Sequence, residues 1–193
     1  GAGQPVPNYT AYLFEGNDVG GIDVGFLIKS NITVNSVTQL MATTTYIDPS
    51  TGQPAIVFDR PPLLADVTAK LATSDTGLNL QILVNHLRSL NGNETQDSAG
   101  NRIRVKRAAG AENVASLLQT LQTAAGANVL TLGDFNAFEF NDGYVDVMNT
   151  IKGMPTAAAQ VQVSSPDLVT PDFINLMETR LTAGTNRYSY NFT

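Results

Sequence analysis

The sequence predicts an α/β fold in a single domain over residues 1–193. Two apolar, β-branched runs, Leu78 to Asn85 and Asn128 to Leu132, read as strands, and a helical stripe lies between them. In that stripe Val114, Leu117, Leu118 and Leu121 fall at i, i+3, i+4 and i+7, the spacing of a helix laid on a core. Strand, helix, strand in that order is the signature of the α/β class.

The other elements follow in chain order. Glu15 to Gly21 is a glycine-rich loop, and Asp23 to Lys29 and Asn31 to Gln39 alternate as two strands turned at Ser30-Asn31 into a hairpin. Met41 to Phe58 is polar and Thr-rich, with a turn at Asp48-Pro49-Ser50-Thr51-Gly52. The pair Pro61-Pro62 forbids a central ladder position. Asp66 to Ala72 reads as a strand joined to Leu78–Asn85 through Thr73 to Gly77, which makes the two neighbours in a sheet. Leu90 to Asn101, rich in Asn, Gly and Ser, reads as an exposed loop, and the helix runs from near Arg102 to Ala124, with Gly126 ending it. Later signals are shorter: a turn at Asp142-Gly143, a helix within Tyr144–Ile151, an ambiguous stretch at Ala157–Val163, a helix opened by Pro171 through Arg180, and a strand-like alternation at Tyr188–Phe192.

Composition narrows the function. The chain has 17 Asp and Glu against 11 Lys and Arg, a net charge of −6, and no cysteine. A thiol nucleophile, a Cys-ligated zinc site and an iron–sulfur cluster are excluded. The acidic balance argues against duplex binding by charge alone, although a bound cation reverses the local sign at a phosphodiester. No apolar run approaches the roughly 18 residues that span a bilayer.

Four residues stand out as candidates. His86, the one histidine, closes an apolar strand, where α/β sheets place ligands; its plainer reading is a structural hydrogen-bonding residue. Asp134 and Asn136 follow the strand in Leu132-Gly133-Asp134-Phe135-Asn136-Ala137, two apart and able to face one site; the plainer reading is a polar turn. A carboxylate there suits a hard divalent cation, and an amide orients phosphate or water without adding charge. An EF-hand is excluded because Phe138 and Glu139 occupy its oxygen-ligand and glycine positions. Arg60, between Asp59 and two prolines, has a guanidinium suited to bidentate phosphate contact, or else forms a surface salt bridge with Asp59. Arg102, Arg104, Lys106 and Arg107 form the one basic cluster, which reads as a solvated helix face or as a contact to substrate backbone.

Taken together, the segments Gly21-Ile22-Asp23-Val24-Gly25-Phe26-Leu27, Phe58-Asp59-Arg60-Pro61-Pro62-Leu63, Val84-Asn85-His86-Leu87-Arg88-Ser89 and Leu132-Gly133-Asp134-Phe135-Asn136-Ala137 resemble the endonuclease/exonuclease/phosphatase superfamily, the deoxyribonuclease I-like phosphodiesterases. The Asp-Arg-Pro-Pro-Leu form is most similar to its extracellular bacterial nucleases. The resemblance implies a four-layer sandwich, two packed β-sheets flanked by helices. It further implies a metal-dependent hydrolase, a nuclease first and a small-molecule phosphodiesterase or phosphatase second, using Mg²⁺, Mn²⁺ or Ca²⁺. His86 would then act at the scissile phosphate, Asp134 would hold the metal and catalytic water, and Asn136 and Arg60 would bind phosphate. Secretion or a periplasmic location follows from the resemblance only. The family's early Gln-Glu motif and late Asp and Ser-Asp-His motif have no counterpart, so the sequence reads as the middle of a catalytic domain, incomplete at both termini, and as weakly active or inactive alone. A non-catalytic binding module on the same fold is the alternative of a different class.

Overall fold

The computed structural model describes residues 8–70, 77–124 and 126–180. Its first strands, β1 (Tyr9–Leu13) and β2 (Gly25–Lys29), pair antiparallel as a two-stranded sheet. The next, β3 (Ile32–Gln39), belongs to a different ladder, so the hairpin expected at Ser30-Asn31 does not form. Both strands are amphipathic, and Phe26 and Ile28 of β2 meet Ile32, Val34 and Val37 of β3 in one core. Strands that bury their apolar faces in the same core from opposite sides stack across it instead of pairing edge to edge. A bulge between Val34 and Ser36 restores the inward face for Val37, which would otherwise be out of phase with Val34.

The Asp48 turn joins β4 (Thr45–Ile47) to β5 (Pro54–Ile56) as an antiparallel hairpin. Pro61 and Pro62 are fully buried and precede β6 (Leu63–Ala69), so the strand starts three residues earlier than its alternation suggested. It pairs antiparallel with β3 on one side and with β7 (Leu78–His86) on the other. The chain then enters a 25-residue helix, α1 (Ser98–Gln122), and returns as β8 (Val129–Asp134), parallel to β7. The central sheet therefore runs β3-β6-β7-β8.

Helix α1 begins four residues before the apolar stripe indicated. Asp97 caps it, its carboxylate accepting a hydrogen bond from the Gly100 amide at 2.8 Å, a device worth about 1 kcal/mol. The helix also ends earlier than expected, with Thr123 as its last cap. Ala111, Val114, Ala115 and Leu118 are fully buried, while Leu117 is partly buried against the same cluster. Two short helices complete the described chain, α2 (Val147–Lys152) and α3 (Leu176–Arg180), with a single 3-10 turn at Ala158–Gln160. The Tyr188–Phe192 alternation and the Thr73–Thr76 connection lie outside the described residues.

The layers follow from strand alternation. Ala65, Val67, Leu80 and Ile82 face the β1–β2 sheet, whereas Leu64, Leu83 and Val129 face α1. The result is a mixed α/β structure: a small sheet, the four-stranded sheet, and a helical layer. This arrangement is compatible with an α/β sandwich.

Candidate functional site at the carboxyl ends of β7 and β8

Parallel pairing brings the last residues of two strands side by side, and here His86 is in register with Asp134. Both lie on the face shared by Ile82, Leu130 and Leu132, opposite α1. His86 Nε2 is 3.7 Å from Asp134 Oδ2, close enough for electrostatic coupling and too long for a hydrogen bond. Burial pushes the imidazole below its ordinary value, and the Arg60 charge pushes it the same way, against the weaker pull of Asp134 and Asp18. The imidazole is therefore neutral near pH 7, and the pair is a neutral ring beside a carboxylate, not a salt bridge. Asp134 is the open member, its side chain 63% exposed against 24% for His86.

Glycine is required at position 133. With φ at +129° it occupies backbone space closed to other residues, and a Cβ there would overlap the Asn85 carbonyl oxygen of β7. The chain then turns through Asn136, which has φ of +48°, a left-handed conformation that Asn tolerates better than most residues. The Asn136 amide donates to Asp134 Oδ1 at 2.9 Å, and its side-chain Nδ2 donates to the Leu87 carbonyl at 3.0 Å. Asn136 thus ties the end of β8 to the end of β7 while fixing the Asp134 carboxylate.

Arg60 serves the same junction from the other side. Its Nε donates to the His86 carbonyl at 3.3 Å and one Nη to the Leu87 carbonyl at 2.9 Å. The other Nη pairs with Asp18 at 2.7 Å. The expected ion pair is present, but with Asp18 instead of Asp59, and it is buried instead of superficial. Among the described residues three of the five N–H groups are engaged, so Arg60 braces the His86 backbone.

The basic cluster of α1 departs most from its sequence reading as a solvated face. Arg104, Lys106 and Arg107 are all buried. Arg107 donates to the carbonyls of Arg88 and Asn136 at 3.1 and 2.8 Å and pairs with Asp142 at 3.2 Å, locking both strand-end loops from beneath. Arg104 donates to the carbonyls of Asn93 and Thr95, and its guanidinium lies over the Tyr144 ring. Lys106 pairs with Asp59 at 2.7 Å, and the half-exposed Arg102 with Asp48 at 2.7 Å. These cations hold loops together.

All four sequence candidates, Arg60, His86, Asp134 and Asn136, converge on the turn after His86. Sequence reasoning missed the residues that hold them. In the Glu15–Gly21 loop, Asn17 Nδ2 donates to the carbonyls of Ala42 and Phe58, and Asp18 accepts from both Arg60 and the Gly20 amide. The hydrogen bond from Gly20 and the Arg60 charge hold the Asp18 carboxyl below the usual carboxylate value. A loop carries no periodicity, so nothing local marked these two. Arg107 did leave a trace, because it shares its helix face with Ala111, Val114 and Leu118.

The resident cation implied by the resemblance is not matched by this donor set. Among the described residues no group of three or more His, Asp or Glu is placed to hold a metal ion. His86 and Asp134 supply two donors, whereas Mg²⁺ demands near-octahedral oxygen coordination. Among the described residues no helix is long and apolar enough to cross a membrane. No family model, no curated protein and no solved structure matches this chain.

Proposed function

We propose that the junction of β7 and β8 is the core of a phosphodiester-hydrolysing site of the deoxyribonuclease I-like kind, a nuclease in the first instance. One observation carries the reading: an imidazole and an exposed carboxylate stand 3.7 Å apart at two parallel strand ends, with Asn136 and Arg60 bonded to the same turn. His86 takes a proton from a water whose oxygen attacks phosphorus, one P–O ester bond breaks and the departing oxygen takes a proton from solvent, while the adjacent Asp134 carboxylate stabilises the imidazolium that forms. The second Nδ2 hydrogen of Asn136 and the two N–H groups of Arg60 not engaged among the described residues are donors suited to the negative charge that builds on phosphate.

The test is hydrolysis of bis(p-nitrophenyl) phosphate and of a single-stranded oligonucleotide by the 193-residue chain, with Mg²⁺, Mn²⁺ or chelator. Turnover by this chain alone is expected to be weak, and should fall at least about 100-fold in His86→Ala and Asp134→Ala. It should rise with pH along a limb centred below 6.5, because burial lowers the His86 value. Turnover indifferent to both substitutions would remove the assignment.

A binding module is the second reading, and one observation favours it. Arg60 and Asn136 are bound to backbone carbonyls, so packing alone accounts for their presence. On that reading no condition yields turnover, while the substitutions still lower stability.

A further inference from the structure

Beside the Arg60 brace lies a cleft of about 300 Å³ between the Asn17–Val19 loop and the first turns of α1. Its charged lining is Arg60, Arg88, Arg102 and Lys106 against Asp18 and Asp59, and with Asp48 paired to Arg102 one positive charge is left over in a chain of net charge −6. Arg60, Arg102 and Lys106 each lie 2.7 Å from a carboxylate oxygen, which fixes their positions. Arg88 differs. It is half-buried and has no side-chain hydrogen bond or ion pair among the described residues, and its charge acts unfavourably on the buried Arg107. A half-buried guanidinium whose planar donors meet no carboxylate is an open position for an anion. A larger groove, about 490 Å³, near Leu78, Leu80 and Phe173 has no charged residue in its lining.

We propose that this cleft holds a second phosphate of the substrate, two residues along the chain from His86, so that the ligand is a single strand of nucleic acid and not an isolated phosphodiester. The inference rests on the phosphodiesterase reading for what happens at His86, but its own content is binding. Arg88 and the free edge of Arg102 present planar donors matched to phosphate oxygens, and the braced Arg60 links the cleft to the strand-end site. Phosphate contacts of this kind are independent of sequence and sensitive to salt.

The experiment is fluorescence anisotropy of a fluorescein-labelled deoxythymidine dodecamer with the 193-residue chain in chelator, where no turnover intervenes. Arg88→Ala should weaken binding about 5- to 10-fold and lower the salt slope by about one, Arg88→Glu should weaken it further, and Arg88→Lys should recover most of the loss. Thermal unfolding of each variant, expected near wild type because the Arg88 side chain holds no partner among the described residues, separates binding from folding. An Arg88→Ala chain that binds the dodecamer with unchanged affinity and salt slope overturns the proposal. Pyrophosphate that displaces the dodecamer at equal concentration overturns the strand, because the cleft then takes a small bisphosphate. If Arg88 governs binding but no condition gives hydrolysis, the cleft stands and the catalytic reading falls; the converse result removes the cleft alone.

Discussion

The two faces of the central sheet treat polar residues in opposite ways. On the helical face, α1 seals the sheet, and buried Arg104, Lys106 and Arg107 are drawn into ion pairs or carbonyl contacts. On the other face, the β1–β2 sheet covers Ala65 and Val67 but leaves Leu130 and Leu132 at 38% and 47% exposure. His86 and Asp134 stand on this partly open face and are not locked together. The comparison teaches that burial converts charge into architecture, while partial exposure leaves His86 and Asp134 without that structural role.

The sharpest way to break the comparison is at the sealed face. Arg107→Ala removes the charged partner of Asp142, which keeps hydrogen bonds from Asn93, Tyr144 and Val145, and the donor to two loop carbonyls, and we expect a loss of about 3 kcal/mol in urea unfolding. An effect below about 1 kcal/mol would mean that the clasp is superficial. Gly133→Ala probes the seam between the faces. Its Cβ would overlap the Asn85 backbone, so a loss of about 3 kcal/mol or more and a disrupted His86–Asp134 register are expected, read from unfolding and from His86 ring chemical shifts.

A matched pair sharpens the comparison further. Leu118→Ala, at a fully buried position under α1, should cost about 2–5 kcal/mol, and Leu132→Ala on the open face less than about 1 kcal/mol. Equal costs would show that the open face is covered in solution. Asp97→Ala should cost about 1 kcal/mol through its lost helix cap.

The smallest expected effect is a pH dependence. Because burial lowers the folded-state value of His86, the unfolded chain takes up its proton first as pH falls below 6.5. Stability should therefore rise with pH through the window beneath 6.5 and be lost on acidification. His86→Gln should flatten that part of the urea midpoint against pH; an unchanged profile would assign the slope to other groups.

Much of this was legible from residue order. The apolar runs around Leu83 and Leu130 and the stripe at Val114 and Leu118 located β7, α1 and β8, because burial imposes periods that survive in sequence. The four candidate residues were legible because they end or follow strands or precede prolines, where a chain must turn. The β2–β3 hairpin was misread because alternation reports which face of a strand is buried and not which strand lies beside it. The strand Tyr9–Leu13 passed unnoticed: four of its five residues are exposed, which leaves little apolar signal.

By itself, then, the sequence determined the α/β class, the strand–helix–strand core and the identity of the residues gathered at its strand ends. Only the tertiary structure decided their company. It set Asp18 against Arg60, turned Arg107 inward onto Asn136, and placed His86 beside Asp134. The reason is physical: burial periodicity is local and written along the chain, whereas an ion pair between residues 18 and 60 depends on where two loops are carried by everything folded between them.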